Sequence, residues 1–307
     1  MAIAMAWHKP DNVTGSSAPA IMVGLFVASG GILFGYDTGA INGILAMRAF
    51  KDQFDTHCDA KSKSLDICTN DTAILVAILS AGTAFGSLLA APASVSFGRR
   101  ITMLIAVGIF CAGAICQVCA QSMPLMLFGR VLAGVGVGAI SVLVPIYQSE
   151  MAPSWIRGTL IYTYQLSITI SLIAASIINA ITFNIEGSAA YSIPLSLQFL
   201  PALVLTSGIL ILLETPQFLI IQLRRLDITH PALVEELEEI QANHQYELSL
   251  GSNDYKELSY SSPHLSRRTF TSCFIQMLQQ LTGINFIMYY STAFFRGAGS
   301  RALILSH

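Results

Sequence analysis

GRVLAGVGVGAISVLVPIYQSEMAPSWIRG, running from Gly129 to Gly158, is the stretch on which the reading of this chain turns. It is long and apolar enough to cross a bilayer. Its few charges sit at the ends, with Arg130 at one and Glu150 and Arg157 at the other. Gly134, Gly136 and Gly138 thin out the middle. Gly134 and Gly138 share one helical face, where a second helix backbone can come close. Arg130 is different, because a guanidinium at membrane depth is costly and needs a partner. Asp37, inside the first apolar segment, is the candidate. A buried acid and a buried base on two glycine-rich helices point to a transporter rather than an anchor.

Composition agrees. The chain is 53% hydrophobic and 11% charged, with a mean hydropathy of +0.62, far from the balance of a soluble domain. A formal net charge of −2 argues against a nucleic-acid partner. The N-terminal residues lack a basic start, an apolar core and a small-residue cleavage site, so no cleaved signal peptide is expected. The fold class read from this is an all-α polytopic membrane protein.

Seven apolar stretches reach the ~20 residues that a spanning helix needs, near 21–47, 72–92, 101–121, 124–146, 158–183, 191–213 and 269–294. Arg99 and Arg100 follow the second stretch, Arg157 the fourth, and Arg224, Arg225, Lys256, Arg267 and Arg268 the sixth. The third-to-fourth and fifth-to-sixth connections hold no Lys or Arg. The positive-inside rule then puts the N-terminus in the cytoplasm. The first loop departs from the pattern with Arg48, Lys51, Lys61 and Lys63, balanced by five aspartates, and carries the sequon Asn70-Asp71-Thr72. Cys58 and Cys68 share this loop and would form a disulfide if it is extracytoplasmic; two free thiols are the alternative, and spacing does not choose. Cys116 and Cys119 form a CxxC with no second ligand pair, which reads as apolar packing.

Glycine recurs every fourth residue in the first stretch (Gly31, Gly35, Gly39, Gly43) and again at Gly82 and Gly86, the spacing of close helix packing. In the fifth, Tyr162, Gln165, Thr169, Ser176 and Asn179 form a polar stripe, which reads as the lining of a hydrated cavity rather than as interhelical hydrogen bonding. The seventh carries Gln276, Gln279, Gln280, Gly283, Asn285, Tyr289 and Tyr290. Amides both donate and accept, so such a set suits a neutral polyhydroxylated ligand better than an ion. On a straight helix Asn285 points roughly 140° away from Gln280, so it joins them only if the helix breaks, with Thr282-Gly283 as the place. Between the last two stretches, residues 231–240 read as an amphipathic helix with Pro231 in its first turn.

These motifs together resemble the sugar porter family of the major facilitator superfamily, most of all fungal monosaccharide transporters. The resemblance rests on GGILFGYDTGAING at Gly30–Gly43, FGRR at Phe97–Arg100, and the run from Arg130 to Gly158. Glu214-Thr215-Pro216-Gln217 and QQLTGINFIMYY at Gln279–Tyr290 complete it, over residues 20 to 297. It implies two six-helix halves with a hexose bound between them; from the residues themselves, no cofactor and no metal are expected. Gln165, Gln279, Gln280 and Asn285 fall on sugar-contacting positions, and Asp37 with Arg130 on positions like the proton-coupling pair of the symporters. Arg99, Arg100, Glu150, Arg157 and Glu214 fall on a cytoplasmic charge network that latches the inner gate. The sequence departs from the family at Val95, where an aspartate is usual, at Ser96, and at Gln217, where arginine is usual.

The expected layout is a cytoplasmic tail at 1–20, a six-helix bundle at 21–213, a cytoplasmic helical loop at 214–268, the seventh helix at 269–295 and an atypical tail at 296–307. Ending after one helix of the second half, with a tail unlike the family from Ser300, the sequence reads as a truncated form. The function implied is hexose transport across the plasma membrane by proton symport in the full-length form; uniport and a non-transporting sugar sensor or truncated relic are the alternatives. No nucleophile–base pair or phosphate loop recommends an enzyme.

Overall fold

The computed structural model describes residues 18–54, 69–152, 155–185, 187–211, 263–284 and 286–288. The first span is built from α1 (Ala18–Ala28) and α2 (Gly30–Ile44), and a short α3 (Arg48–Phe54) follows it. Then come α4 (Thr69–Phe97), α5 (Arg99–Val118), α6 (Met123–Met151) and α7 (Arg157–Thr182). The sixth span is split into α8 (Ala189–Ser196) and α9 (Phe199–Ile211). A further helix, α10 (Pro263–Leu281), lies in a separate compact unit, residues 225–288. Among the described residues, six helices are long and apolar enough to cross a membrane: Ile21–Ile44, Ala73–Phe97, Arg99–Val118, Met123–Met151, Arg157–Thr182 and Ala189–Leu210.

These are the first six expected stretches, with shifted ends. The fourth continues to Met151 rather than 146, because Val144, Tyr147, Gln148 and Met151 are buried and carry the packing past Pro145. The amphipathic stretch at 231–240 and the tail from 289 fall outside the described residues, as do Cys58 and Cys68.

Three pairings organise the bundle: α2 on α7, and both α4 and α5 on α6. Glycine decides all three. A methyl at Gly31 would meet the Tyr164 carbonyl, one at Gly35 the Ile168 carbonyl and Ser171, one at Gly39 Ala175, and one at Gly43 Asn179. Gly82 and Gly86 lie against the backbone of α6 at Val131 to Val135. Gly134 and Gly138 answer them from α6, against Leu79, Gly82 and Thr83. Gly136 faces the other way, onto Ala106 and Phe110 of α5. The four-residue spacing therefore marks close helix approach, backbone to backbone at Gly31, Gly82, Gly86, Gly134 and Gly138 and onto the side chains of Ala175 and Asn179 at Gly39 and Gly43, as helix association in a solvent of lipid tails demands. The buried layer around it is aliphatic and aromatic: Leu33, Met103, Phe110, Ile140, Leu143 and Leu205 towards one end. Ile41, Phe50, Phe54, Leu75, Met126 and Tyr191 fill the other, where the rings of Phe50, Phe54 and Tyr191 meet.

Glycines without such neighbours make the control. Gly35→Ala should lower the thermal unfolding temperature in detergent, since overpacking costs about 1–3 kcal/mol. Gly108→Ala should leave it unchanged or slightly raised, because nothing lies within 4 Å of the added methyl. Equal shifts for the two variants would remove the glycine argument.

Candidate functional site

Arg130 and Asp37 are brought together at the centre of the bundle. Arg130 is 0% exposed and Asp37 1% exposed. Nη1 of Arg130 donates to both carboxylate oxygens, at 3.1 Å to Oδ1 and 3.2 Å to Oδ2. A third residue joins them: Nε2 of Gln198, 1% exposed, donates to Oδ1 of Asp37 at 3.2 Å. First, fourth and sixth spans thus meet on one carboxylate. Nε and Nη2 of Arg130 and Oε1 of Gln198 are buried with no hydrogen-bond partner among the described residues.

Gln198 was not singled out from the sequence. It reaches Asp37 because the sixth span is broken there. Pro194 and Pro201 each lack the N–H that a continuous helix would use, and the chain turns at Leu197–Gln198 between α8 and α9. The Gln198 N–H bonds the Leu195 carbonyl, leaving the Pro194 carbonyl without its usual i+4 donor. The Tyr36 hydroxyl supplies one, at 3.0 Å. Tyr36 and Asp37, adjacent on α2, therefore both bond into the same break.

The polar stripe of α7 divides. Taking about 100° per residue from Leu160, the buried face of Leu160, Tyr164, Ile168, Ser171, Ala175 and Thr182 lies at about 0–80°. Tyr162, Gln165, Thr169 and Ser176 are exposed at about 140–200°, and Leu166, Ile170, Ile173, Ile177 and Ile181 are exposed at about 220–300°. One exposed strip is polar and the other aliphatic. Asn179 belongs to neither: at about 100° it turns inward, and its Nδ2 donates to the carbonyls of Gly39 at 2.9 Å and Ala40 at 3.2 Å. For this residue, interhelical bonding replaces cavity lining.

In the second unit, Gln276, Gln279 and Gln280 are exposed on α10. The helix ends at Leu281, turns at Thr282–Gly283 with Gly283 at φ +76°, and resumes at Ile284. That is the break that Asn285 needs; Asn285 itself lies outside the described residues.

The charged end of the bundle is only partly the expected network. Arg99 donates to Oε1 of Glu150 from Nε at 3.2 Å and from Nη2 at 2.8 Å. Arg100 instead bonds the carbonyls of Ile209 at 3.0 Å and Leu210 at 2.6 Å, a cation closing the C-terminal end of α9. Arg157 is exposed, with no ion pair among the described residues, and Glu214 lies outside them.

Six spans with a buried acid–base pair and an interrupted sixth span define a polytopic transporter-type bundle. The family model described as "Sugar (and other) transporter" matches residues 23–306, past the point near 297 where the likeness was expected to stop. This chain belongs to that family. It is 59% identical over 308 residues to the probable glucose transporter rco-3 of Neurospora crassa, covering 96% of this chain and 52% of that protein. It is 39% identical over 300 residues to the high glucose sensor of Saccharomyces cerevisiae, covering 92% and 38%. The chain spans about half or less of the length of these relatives. Its fold is similar to that of the major facilitator superfamily proton:xylose symporter XylE from E. coli, with a TM-score of 0.75 at 21% identity, over 92% of this chain and 64% of that one.

The buried pair makes a direct stability test. Arg130→Met alone should cost about 3–5 kcal/mol, since it strands a buried carboxylate. The double variant Asp37→Leu/Arg130→Met should recover most of that loss in thermal unfolding. A double variant as unstable as the single one would show that the pair, not the stranded charge, carries the stability. Separately, Gly283→Ala should destabilise the turn by about 1–2 kcal/mol in thermal unfolding, and Gly283→Asn by less, because its φ of +76° lies in the left-handed region that few side chains other than Asn and Asp adopt.

Proposed function

We propose that the full-length protein carries a monosaccharide, a hexose, across the plasma membrane by alternating access with proton symport. The observation that carries this reading is the fully buried Asp37–Arg130 pair joining two spans. Intramembrane ionisable residues mark ion and proton pathways, and a carboxylate whose guanidinium partner sits on another helix changes proton affinity when the helices move. Two halves rocking about a central site would supply that movement. Membership of the sugar transporter family and the relative named as a glucose transporter support a hexose.

Gln165 on the polar strip of α7, with Gln279, Gln280 and Asn285, would hold the sugar. The amides match hydroxyl groups as donor and acceptor, and the break at Thr282–Gly283 turns the chain where Asn285 must join them. Arg99, Arg100, Glu150, Arg157 and Glu214 would close the cytoplasmic gate, with the Arg99–Glu150 bridge as its formed part. The alternation of basic connections supports a cytoplasmic N-terminus. A second reading, glucose sensing without transport, has the resemblance to the yeast sensor in its favour.

In full-length protein expressed in cells lacking hexose carriers, sugar addition should alkalinise the medium. Asp37→Asn should abolish that signal and accumulation against a gradient while leaving downhill exchange. Sugar uptake without alkalinisation would make the protein a uniporter, and sugar binding without uptake would make it a sensor. Gln280→Ala should weaken sugar binding by about 1–3 kcal/mol, and Gln276→Ala by less. Equal losses would remove the assignment of Gln280.

A further inference from the structure

Gln198 is an amide, 1% exposed, bonded by its nitrogen to Asp37 and left without a hydrogen-bond partner at its oxygen among the described residues. An orphaned acceptor at such burial calls for a donor. The nearby Asp37 cannot provide one while it is ionised, but it can once it takes a proton. We propose that Gln198 is the positioning residue of the proton site, holding Asp37 in both of its charge states. This deepens the proton-coupled reading above and rests on it.

The step balances simply. The Asp37 carboxylate takes up one proton from a hydronium ion, which leaves as water, and becomes a neutral carboxylic acid; an O–H bond forms and the bonds from Nη1 of Arg130 lose the charge on their acceptor. The Gln198 amide turns over, so that Oε1 accepts the new O–H where Nε2 had donated. An amide can do both, since it carries a donor and an acceptor on one planar group.

The surroundings hold Gln198 to this task. Its backbone sits in the Pro194–Pro201 break, and the Tyr36 hydroxyl anchors the break beside Asp37. At its far end α9 is held by Arg100 on the carbonyls of Ile209 and Leu210. Titratable groups buried on the helices packed against α2 are Arg130 and Tyr147 on α6, Tyr164 on α7 and Tyr191 on α8; of these, Arg130 alone bonds Asp37. Protonation therefore alters the tie between first and fourth spans and preserves the tie between first and sixth.

Infrared difference spectroscopy of the purified full-length protein, titrated from neutral to acid pH, tests this without transport. A protonated-carboxyl band that is lost in Asp37→Asn reports the Asp37 acid. Gln198→Leu should displace that band, because the O–H loses its acceptor. Gln198→Glu keeps the shape of the side chain and guards against a folding failure; it should make the band titrate in two steps, since two coupled carboxyls share the site. An Asp37 band left unmoved by Gln198→Leu and titrating once in Gln198→Glu overturns the assignment of Gln198 alone. No band distinguishing wild type from Asp37→Asn overturns the protonation of Asp37, and with it both readings.

Discussion

A guanidinium sealed inside an apolar bundle must be neutralised where it stands, and the Asp37–Arg130 pair is the interaction that the rest of this structure has to accommodate. Its two partners sit on different spans, so the first and fourth helices have to run close together at that depth. Buried ion pairs repay their desolvation poorly in stability, and an apolar pair of similar volume would often serve as well. The pair is therefore better understood through what it ties together than through what it adds to stability. The bonding is also lopsided, since one guanidinium nitrogen serves both carboxylate oxygens while Nε and Nη2 have no partner among the described residues.

Glycine is what makes the required closeness possible. Four glycines along the first span admit the backbone and side chains of α7, and the alternating glycines of α6 serve two helices at once, Gly134 and Gly138 for α4 and Gly136 for α5. Close backbone approach leaves little room for side-chain adjustment, so the polar groups between these helices bond to carbonyls. Asn179 reaches Gly39 and Ala40, Gln148 reaches Gly24, and Gln117 reaches Gly129. In each case an amide crosses to a glycine-bearing stretch where the opposing backbone has no side chain to shield it.

What the sequence disclosed followed local rules. Span length and hydropathy placed the six membrane helices, four-residue spacing placed the glycine contacts, and the expense of an intramembrane charge paired Arg130 with Asp37 across 93 residues. Angular bookkeeping along a helix also located the turn at Thr282–Gly283. The same bookkeeping sets Asn179 apart from the polar strip, at about 100° rather than 140–200°. Gln198 stayed hidden because its importance is tertiary: one amide in an apolar run has no periodic companion. The usable signal was its place between Pro194 and Pro201, where a helix must give up backbone bonds and a side chain can turn aside. Arg100 was legible as a gate residue, but its partners were not, since they are main-chain carbonyls, which look alike in every sequence.

These two residues bear on the same short helix. α9 begins beside Gln198, bonded to the central carboxylate, and ends at Ile209 and Leu210, bonded to Arg100. Arg100 follows directly on Arg99, which grips Glu150 at the end of the fourth span. A rigid segment of 13 residues therefore connects the buried charge pair to the charged end of the bundle, with a polar tie at each terminus and apolar packing between. Helices transmit displacement along their axes far better than loops do, and a break at Leu197–Gln198 separates α9 from α8, which the Tyr36 bond holds to the first span. The interruption thus divides the sixth span into a half bonded to Tyr36 at its end and a half that runs from the Asp37 carboxylate to Arg100, where a continuous helix would leave the Pro194 carbonyl to its own backbone.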